Sequence, residues 1–205
     1  MSTIEDRVAA IVARLPERAG ARRLVALAGP PATGKSTIAE ALRDALAARG
    51  ANAVVVPMDG YHLDNRILSE RGLLPRKGAP ETFDARGFIA MIRRLKAGEE
   101  TFVPVFDRTR DIAIAGAGLV PAAADTIIVE GNYLMFDEDP WRELALLWDA
   151  ALFLDASEAV LRERLVQRWR HYGLSEDAAL ARAEENDLPN ARRILAGRLG
   201  GAITV

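Results

Sequence analysis

Cysteine is absent from this 205-residue chain, so neither a disulfide nor a thiolate can contribute to its stability or chemistry. That absence fits a reducing, cytoplasmic setting. Net charge is nearly absent too: at −2 the chain has no general pull toward nucleic acid or an anionic membrane. Long apolar runs are missing. The longest uncharged stretch, Ile112 to Ala124, is short and broken by Gly116, Gly118 and Pro121, which excludes a bilayer span. The first twenty residues carry Glu5, Asp6, Arg7, Arg14 and Glu17 within an amphipathic pattern and lack the apolar core of a signal peptide; a helix over Met1 to Gly20 is expected. Lysine is scarce, with only Lys35, Lys77 and Lys96 against 24 arginines. No N-K-x-D element occurs, which argues against a guanine-reading GTPase. Half of the residues are hydrophobic, enough to bury one substantial core, so a single domain over 1–205 with an insertion is expected.

One of the three lysines lies in the most informative stretch. Gly29-Pro30-Pro31-Ala32-Thr33-Gly34-Lys35-Ser36-Thr37 reads G-x-x-x-x-G-K-S, a phosphate-binding loop. The apolar run Leu24 to Ala28 before it suggests a strand, and Ile38, Ala39, Leu42, Ala45 and Leu46 after it fall at helical spacing. Backbone amides at such a helix start favour α/β-phosphates; Lys35 can reach the β/γ-phosphates and Ser36 can ligate magnesium. A slim ammonium fits along such a loop where a planar guanidinium does not. The expected ligand is ATP with Mg²⁺, bound by Gly29, Pro30, Ala32, Thr33, Gly34, Lys35, Ser36 and Thr37.

Strand and helix patterns alternate along the chain. A β-branched run, Asn52 to Met58, ends in Asp59-Gly60; Thr126 to Val129 ends in Glu130-Gly131; Ala150 to Leu154 ends in Asp155. Between the first two lies a long excursion, 60–125, the expected acceptor-binding insertion. In it Asp84 can cap a helix bearing Phe88, Ile92 and Leu95, and Thr101 to Phe106 and Ile112 to Ala115 read as a hairpin around Asp107–Arg110. Ser157 can cap a helix through Trp169; helices over Glu176 to Glu185 and Leu188 to Arg198 and a strand over Ala202 to Val205 follow. This alternation argues for an α/β fold with a parallel sheet covered on both faces, its ligands at the carboxyl ends of the strands.

The strand-end acids are therefore the candidates for chemistry. Glu130 is favoured as the metal-placing acid because Glu130-Gly131 would turn tightly; Asp155 is the alternative, with a capping role equally open. Asp59 can accept or orient an acceptor hydroxyl in line with the γ-phosphate, though Asp-Gly is also an ordinary turn pair. Arg162, Arg164, Arg168 and Arg170 crowd one helix, and Arg164 and Arg168 share a face suited to clamping a phosphoryl group, with Gly173 and Ser175 as the turn of a lid over 160–186. A solvated face paired with Glu158 and Glu163 is the plainer alternative. Acceptor candidates in the insertion are Tyr61, His62, Arg76, Lys77, Arg108 and Arg110, a cationic set suited to a sugar or to an acidic or phosphorylated acceptor.

The strings Met58-Asp59-Gly60-Tyr61-His62-Leu63-Asp64-Asn65, Arg76 to Asp84, Val129 to Leu134 and Asn186-Asp187-Leu188-Pro189-Asn190 together resemble the uridine kinase, phosphoribulokinase and bacterial-type pantothenate kinase group of P-loop kinases. Within it the chain is most similar to the branch labelled fructose transport system kinase. The resemblance implies a three-layer P-loop NTPase sandwich with a five-stranded parallel sheet in the order 2-3-1-4-5. It further implies Asp59 as the hydroxyl-orienting acid, Glu130 at Mg²⁺, Arg164 and Arg168 as lid arginines and Asn190 among the nucleotide-binding residues. The expected activity is phosphoryl transfer to a small-molecule acceptor, a sugar first, with a nucleoside or a pantothenate-like compound as alternatives and a regulatory NTPase as the alternative of another class. Uridine kinases read the base with a His after P-x-Y-D; here Pro104-Val105-Phe106-Asp107 matches loosely and Asp111 stands near the His position. Neither nucleic acid nor membrane is an expected partner, and a homodimer is compatible with the sequence.

Overall fold

In the computed structural model, which describes residues 3–18, 20 and 22–205, the first apolar run forms β1 (Arg23–Ala28) at the centre of the main sheet. Its side chains alternate between two cores: Leu24, Ala26 and Ala28 enter one, Val25 and Leu27 the other. A strand buried on both faces needs helices on both. On one face α1 (Ile4–Val12) and α2 (Lys35–Ala47) bring Val8, Ile11, Ile38, Leu42 and Leu46. After β2 (Ala53–Pro57) and the short α3 (Asn65–Glu70), α4 (Ala85–Lys96) covers the other face with Phe88, Ile89, Ile92 and Leu95.

The hairpin of β3 (Thr101–Asp107) and β4 (Ile112–Val120) forms its own antiparallel pair. β5 (Thr126–Gly131), β6 (Ala150–Phe153) and β7 (Ile203–Thr204) join β1 and β2 in one parallel sheet ordered β2-β5-β1-β6-β7. Counted along the chain without the hairpin, this is the expected 2-3-1-4-5. Beyond β6 come α5 (Glu158–His171), α6 (Glu176–Arg182), a π-helical turn over Ala183–Asp187 and α7 (Leu188–Ala196); Leu161 and Leu165 of α5 pack on Ala183 of the turn and on Leu188 and Ala191 of α7. No helix among the described residues is long and apolar enough to cross a membrane.

Several boundaries differ from expectation for local reasons. The N-terminal helix is a single short segment, opened by a reciprocal Thr3–Asp6 capping box and finished before Leu15-Pro16, because the residue before a proline avoids helical backbone. Met1, Ser2 and Ala19 of the expected span lie outside the described residues. β4 runs on past Ala115 to Val120, and its ladder shifts register between Val103 and Val105, at Pro104, which has no N–H to lose. The two helices expected after Gly173 are joined through the π-helical turn.

One buried cation ties the insertion to the sheet. Arg22, 4% exposed, meets only carbonyls: Nε donates to Ala124 O at 3.0 Å, Nη1 to Leu95 O at 3.2 Å and Glu99 O at 2.7 Å, and Nη2 to Pro121 O at 2.7 Å. Burial lowers its pKa from the ordinary value, yet a guanidinium stays charged. The fork thus fastens the end of α4 and the β4–β5 connection beside the start of β1. A lysine has no planar fork to span these acceptors. Arg22→Lys is expected to lower the unfolding free energy in urea by about 3 kcal/mol with an unchanged m-value; a loss under about 1 kcal/mol would show the carbonyls satisfied elsewhere.

Candidate active site

The turn from β1 into α2 is shaped for an anion. Gly29, Ala32 and Gly34 have φ of 146°, 63° and 90°, so the backbone curls on itself, and Ala32 takes a left-handed conformation that costs a non-glycine residue about 1 kcal/mol. Gly34 caps α2 with no side-chain hydrogen bond, which leaves amides of its first turn open to a ligand. Thr33 Oγ1 braces the loop on Pro30 O at 2.9 Å. Lys35, 7% exposed, donates from Nζ to Gly29 O at 2.9 Å and Pro30 O at 2.8 Å. Burial pulls its pKa down to about 8, with Arg168 and Arg108 acting the same way and Glu130 and Asp59 opposing.

Strand register places the acids. Glu130 on β5 pairs with Leu27 on one side and Pro57 on the other, and its Oε1 accepts from Ser36 Oγ at 3.1 Å. Burial raises the Glu130 carboxyl, the charge of Asp59 raises it further, and Lys35 and the Ser36 bond oppose. Gly131 is needed for room rather than for a tight turn: it continues β5, and a Cβ there would lie 2.5 Å from Met58 Cβ. Asp59 follows β2 in a 3-10 turn over Met58–Tyr61. Burial alone would raise its carboxyl, but the Arg108 guanidinium bonded to it, with His62, Arg168 and Lys35, holds it below the ordinary value. The hairpin can deliver Arg108 because Gly60 lets Pro104 approach; a Cβ at Gly60 would sit 2.3 Å from Pro104 O.

These groups face one cavity of about 510 Å³. Pro31, Ala32 and residues 34–37 form its floor, with Asp59, Glu130, Gly131 and Asn132 beside them. His62, Lys77, Gly78, Phe83, Phe106, Arg108 and Asp111 line the insertion side; Arg168, Trp169, Tyr172, Leu174, Arg182, Asp187 and Asn190 line the helical side. His62 lies with its ring 4.0 Å from that of Phe83 and 4.7 Å from that of Phe106, and its Nδ1 is 2.8 Å from Asp59 O. Burial lowers its pKa, so the ring is neutral at pH 7.

The expected site residues thus fall into two groups. Ala32, Gly34, Lys35, Ser36, Thr37, Asp59, Glu130, His62, Lys77, Arg108, Arg168 and Asn190 meet at the cavity. Lys77 is already held there by Asp111 at 2.8 Å and Asn65 at 2.7 Å. Gly29, Pro30 and Thr33 shape the loop from behind. Arg164 donates to Ala32 O at 3.2 Å, outside the wall, so the two lid candidates divide between backbone and cavity. Tyr61 turns into the core, edge-on to Phe88 at 5.2 Å. Arg76 reaches Asn190 Oδ1 at 3.2 Å behind the wall, and Arg110 closes on Asp107 at 2.7 Å at the hairpin tip. Neither lines the cavity. Asp155, the alternative metal acid, binds the Ala156 amide at 2.7 Å in solvent.

Trp169, Asp187 and Arg182 line the cavity without having been expected as site residues, although Asp187 falls in the Asn186 to Asn190 string and the other two in the expected lid. Trp169 Nε1 donates to Asp187 Oδ2 at 2.6 Å, and Arg182 lies 5.3 Å over the indole while bonding Pro75 O and Lys77 O. Asp187 belongs to the π-helical turn, and such turns gather at functional sites. The pairing in space of positions 18 apart left no local signal.

The site fits a nucleotide with magnesium by its chemistry. Lys35 is a buried cation with no carboxylate in ion-pair contact among the described residues, a deficit phosphate would fill. Ser36 and Glu130 supply two hard oxygen donors, as magnesium prefers when phosphate and water complete its shell. No cluster of three or more His, Cys, Asp or Glu placed for a metal occurs among the described residues.

Residues 24–190 match the profile of the Phosphoribulokinase / Uridine kinase family. The crystal structure of a provisionally named fructose transport system kinase from Silicibacter sp. TM1040 superposes over 100% of both chains with a TM-score of 0.93 and 52% identity. The uncharacterized protein YggC of Escherichia coli (strain K12) is 37% identical over 85% of this chain and 73% of its own. The pantothenate kinase of Parvibaculum lavamentivorans is 31% identical over 71% of this chain, which spans 48% of that enzyme's length.

Lys35 gives the free site a titration of its own. A polyanion binds best to the ammonium form, so above a pKa of about 8 binding must take up a proton and weakens as pH rises. The dissociation constant for ADP is expected to be flat below pH 7.5 and to rise toward tenfold per pH unit above 8.5. Calorimetry in buffers of different ionisation enthalpy should record the proton uptake. Lys35→Ala should bind about 100-fold more weakly with a flat profile; an unchanged slope in that variant would assign the titration elsewhere.

Proposed function

The chain belongs to the phosphoribulokinase and uridine kinase family of P-loop kinases, and from that premise we propose that it transfers the γ-phosphoryl group of ATP to a hydroxyl of a small sugar-type metabolite. The observation that carries this reading is the placement of Asp59 in the turn just past β2, the strand whose last residue pairs with Glu130, across one cavity from the phosphate loop. A loop alone would suit any nucleotide hydrolase; a second carboxylate facing it gives an alcohol somewhere to bind. The acceptor hydroxyl hydrogen-bonds Asp59. As its oxygen bonds to the γ-phosphorus, the bond to the β–γ bridging oxygen breaks and the proton passes to Asp59. Lys35 and Arg168 offset charge on the transferring group, and the open amides of α2 hold the β-phosphate. Ser36 and Glu130 would hold magnesium, which would neutralise charge on the phosphate oxygens when bound.

The sugar assignment draws support from the 52%-identical neighbour, whose name refers to fructose transport. It also draws on Asp111, which stands near the place of the base-reading His of uridine kinases and is bonded to Lys77 and Asn65. The 60–125 insertion then serves as the acceptor-binding part, and the segment 160–186, which carries Arg168, as the lid.

ADP release from Mg-ATP should be measured across sugars, sugar phosphates, nucleosides and pantothenate. We expect release that depends on one chemical class and falls about 10³-fold or more in both Lys35→Ala and Asp59→Asn. Release at one rate with or without every compound, untouched by Asp59→Asn, would sink the transfer reading and leave an NTP hydrolase.

A further inference from the structure

Arg108 donates from Nη2 to Asp59 Oδ2, so the free site holds its hydroxyl-orienting acid already engaged. A carboxylate bound to a guanidinium is a weaker proton acceptor and has less room for a hydroxyl. Transfer therefore requires Arg108 to let go. Its side chain is 40% exposed in the open cavity, and once a substrate closes over it the guanidinium stays charged and needs another anion. Among the described residues, the other acids that line the cavity offer none. Asp111 is held by Lys77 at 2.8 Å and Asn65 at 3.0 Å, Asp187 by Trp169 at 2.6 Å, and Glu130 by Ser36 at 3.1 Å.

We propose that the acceptor is itself an anion, whose carboxylate or phosphate takes Arg108 away from Asp59 and so frees Asp59 for the hydroxyl that is phosphorylated. The inference rests on the kinase reading and narrows it to hydroxylated acids or phosphorylated sugars. It also makes Arg108 a safeguard. Without an anionic acceptor Asp59 remains engaged, and transfer of the γ-phosphoryl group to water is slow.

Water as nucleophile allows a test that needs no knowledge of the true acceptor. ADP release from Mg-ATP is followed for the wild type and Arg108→Ala, alone and with acetate or inorganic phosphate. In parallel, matched pairs are compared as acceptors: glycerol and glycerate, glucose and gluconate, fructose and fructose 6-phosphate. Wild-type hydrolysis should rise about fivefold or more with the anion, whereas Arg108→Ala should start at the raised level and ignore it. The anionic member of a pair should be favoured about 100-fold in kcat/KM, and Arg108→Ala should raise its KM until that preference is under about fivefold, with little change in the KM for ATP. A response to acetate alone marks a carboxylate acceptor, and one to phosphate alone a phosphate ester. Hydrolysis indifferent to both anions, an undetectable rate in both proteins, or preference for the neutral members overturns the inference while leaving the kinase reading intact. Turnover surviving Lys35→Ala, or no binding of Mg-ATP, sinks the kinase reading itself.

Discussion

The position of β5 between β1 and β2 is the constraint on which the site depends. Its ladder with β1 sets Glu130 beside Leu27, at the approach to the phosphate loop, and its ladder with β2 sets the same residue beside Pro57, at the approach to Asp59. One carboxylate is thereby shared between the two halves of the cavity. Because parallel ladders on both flanks fix a single register, Glu130 cannot slip by one residue without turning the buried Ile127 and Val129 to the wrong face. Gly131 completes the fit by letting Met58 close over the strand end.

Charge is handled differently at the two ends of the sheet. At the amino end of β1, Arg22 is saturated by backbone carbonyls and has nothing left to offer. At the carboxyl end, Lys35 is as deeply buried but bonded to only two carbonyls, and its pKa of about 8 records the deficit. A lowering from 10.5 to about 8 corresponds to roughly 3 kcal/mol of unfavourable burial that a bound phosphate can return. Similar burial therefore gives a clamp in one place and a binding site in the other, and the number of available acceptors decides which.

The parallel α/β layering and the loop were legible because their signals are local: a two-sided apolar run, glycines at fixed offsets, acids where strands stop; the strand order came only through the family resemblance. Asp59 and Glu130 became candidates by position, since the ends of parallel strands must converge, and the family resemblance then singled out their roles. What escaped were residues whose place depends on two distant turns. Trp169 meets Asp187 only because α5 folds back on a π-helical turn, and no periodicity marks such a turn. Tyr61 misled for the opposite reason. It is two residues from Asp59, yet the 3-10 turn aims it at Phe88 in the core. The N-terminal helix was read too long because its amphipathic pattern continues past Pro16, where the backbone cannot.

The β3–β4 hairpin shares no ladder with the main sheet, and Gly60 lets its Pro104 settle against the turn that carries Asp59. Its outward side chains, Phe102 and Leu119 among them, are not part of either central core. The hairpin tip that carries Arg108 therefore stands outside both cores, although Val103 and Val120 root the strands beneath it in the core beside α4. Loops at the tip of such a hairpin can be lengthened or recharged while the strands that carry the phosphate loop keep their register.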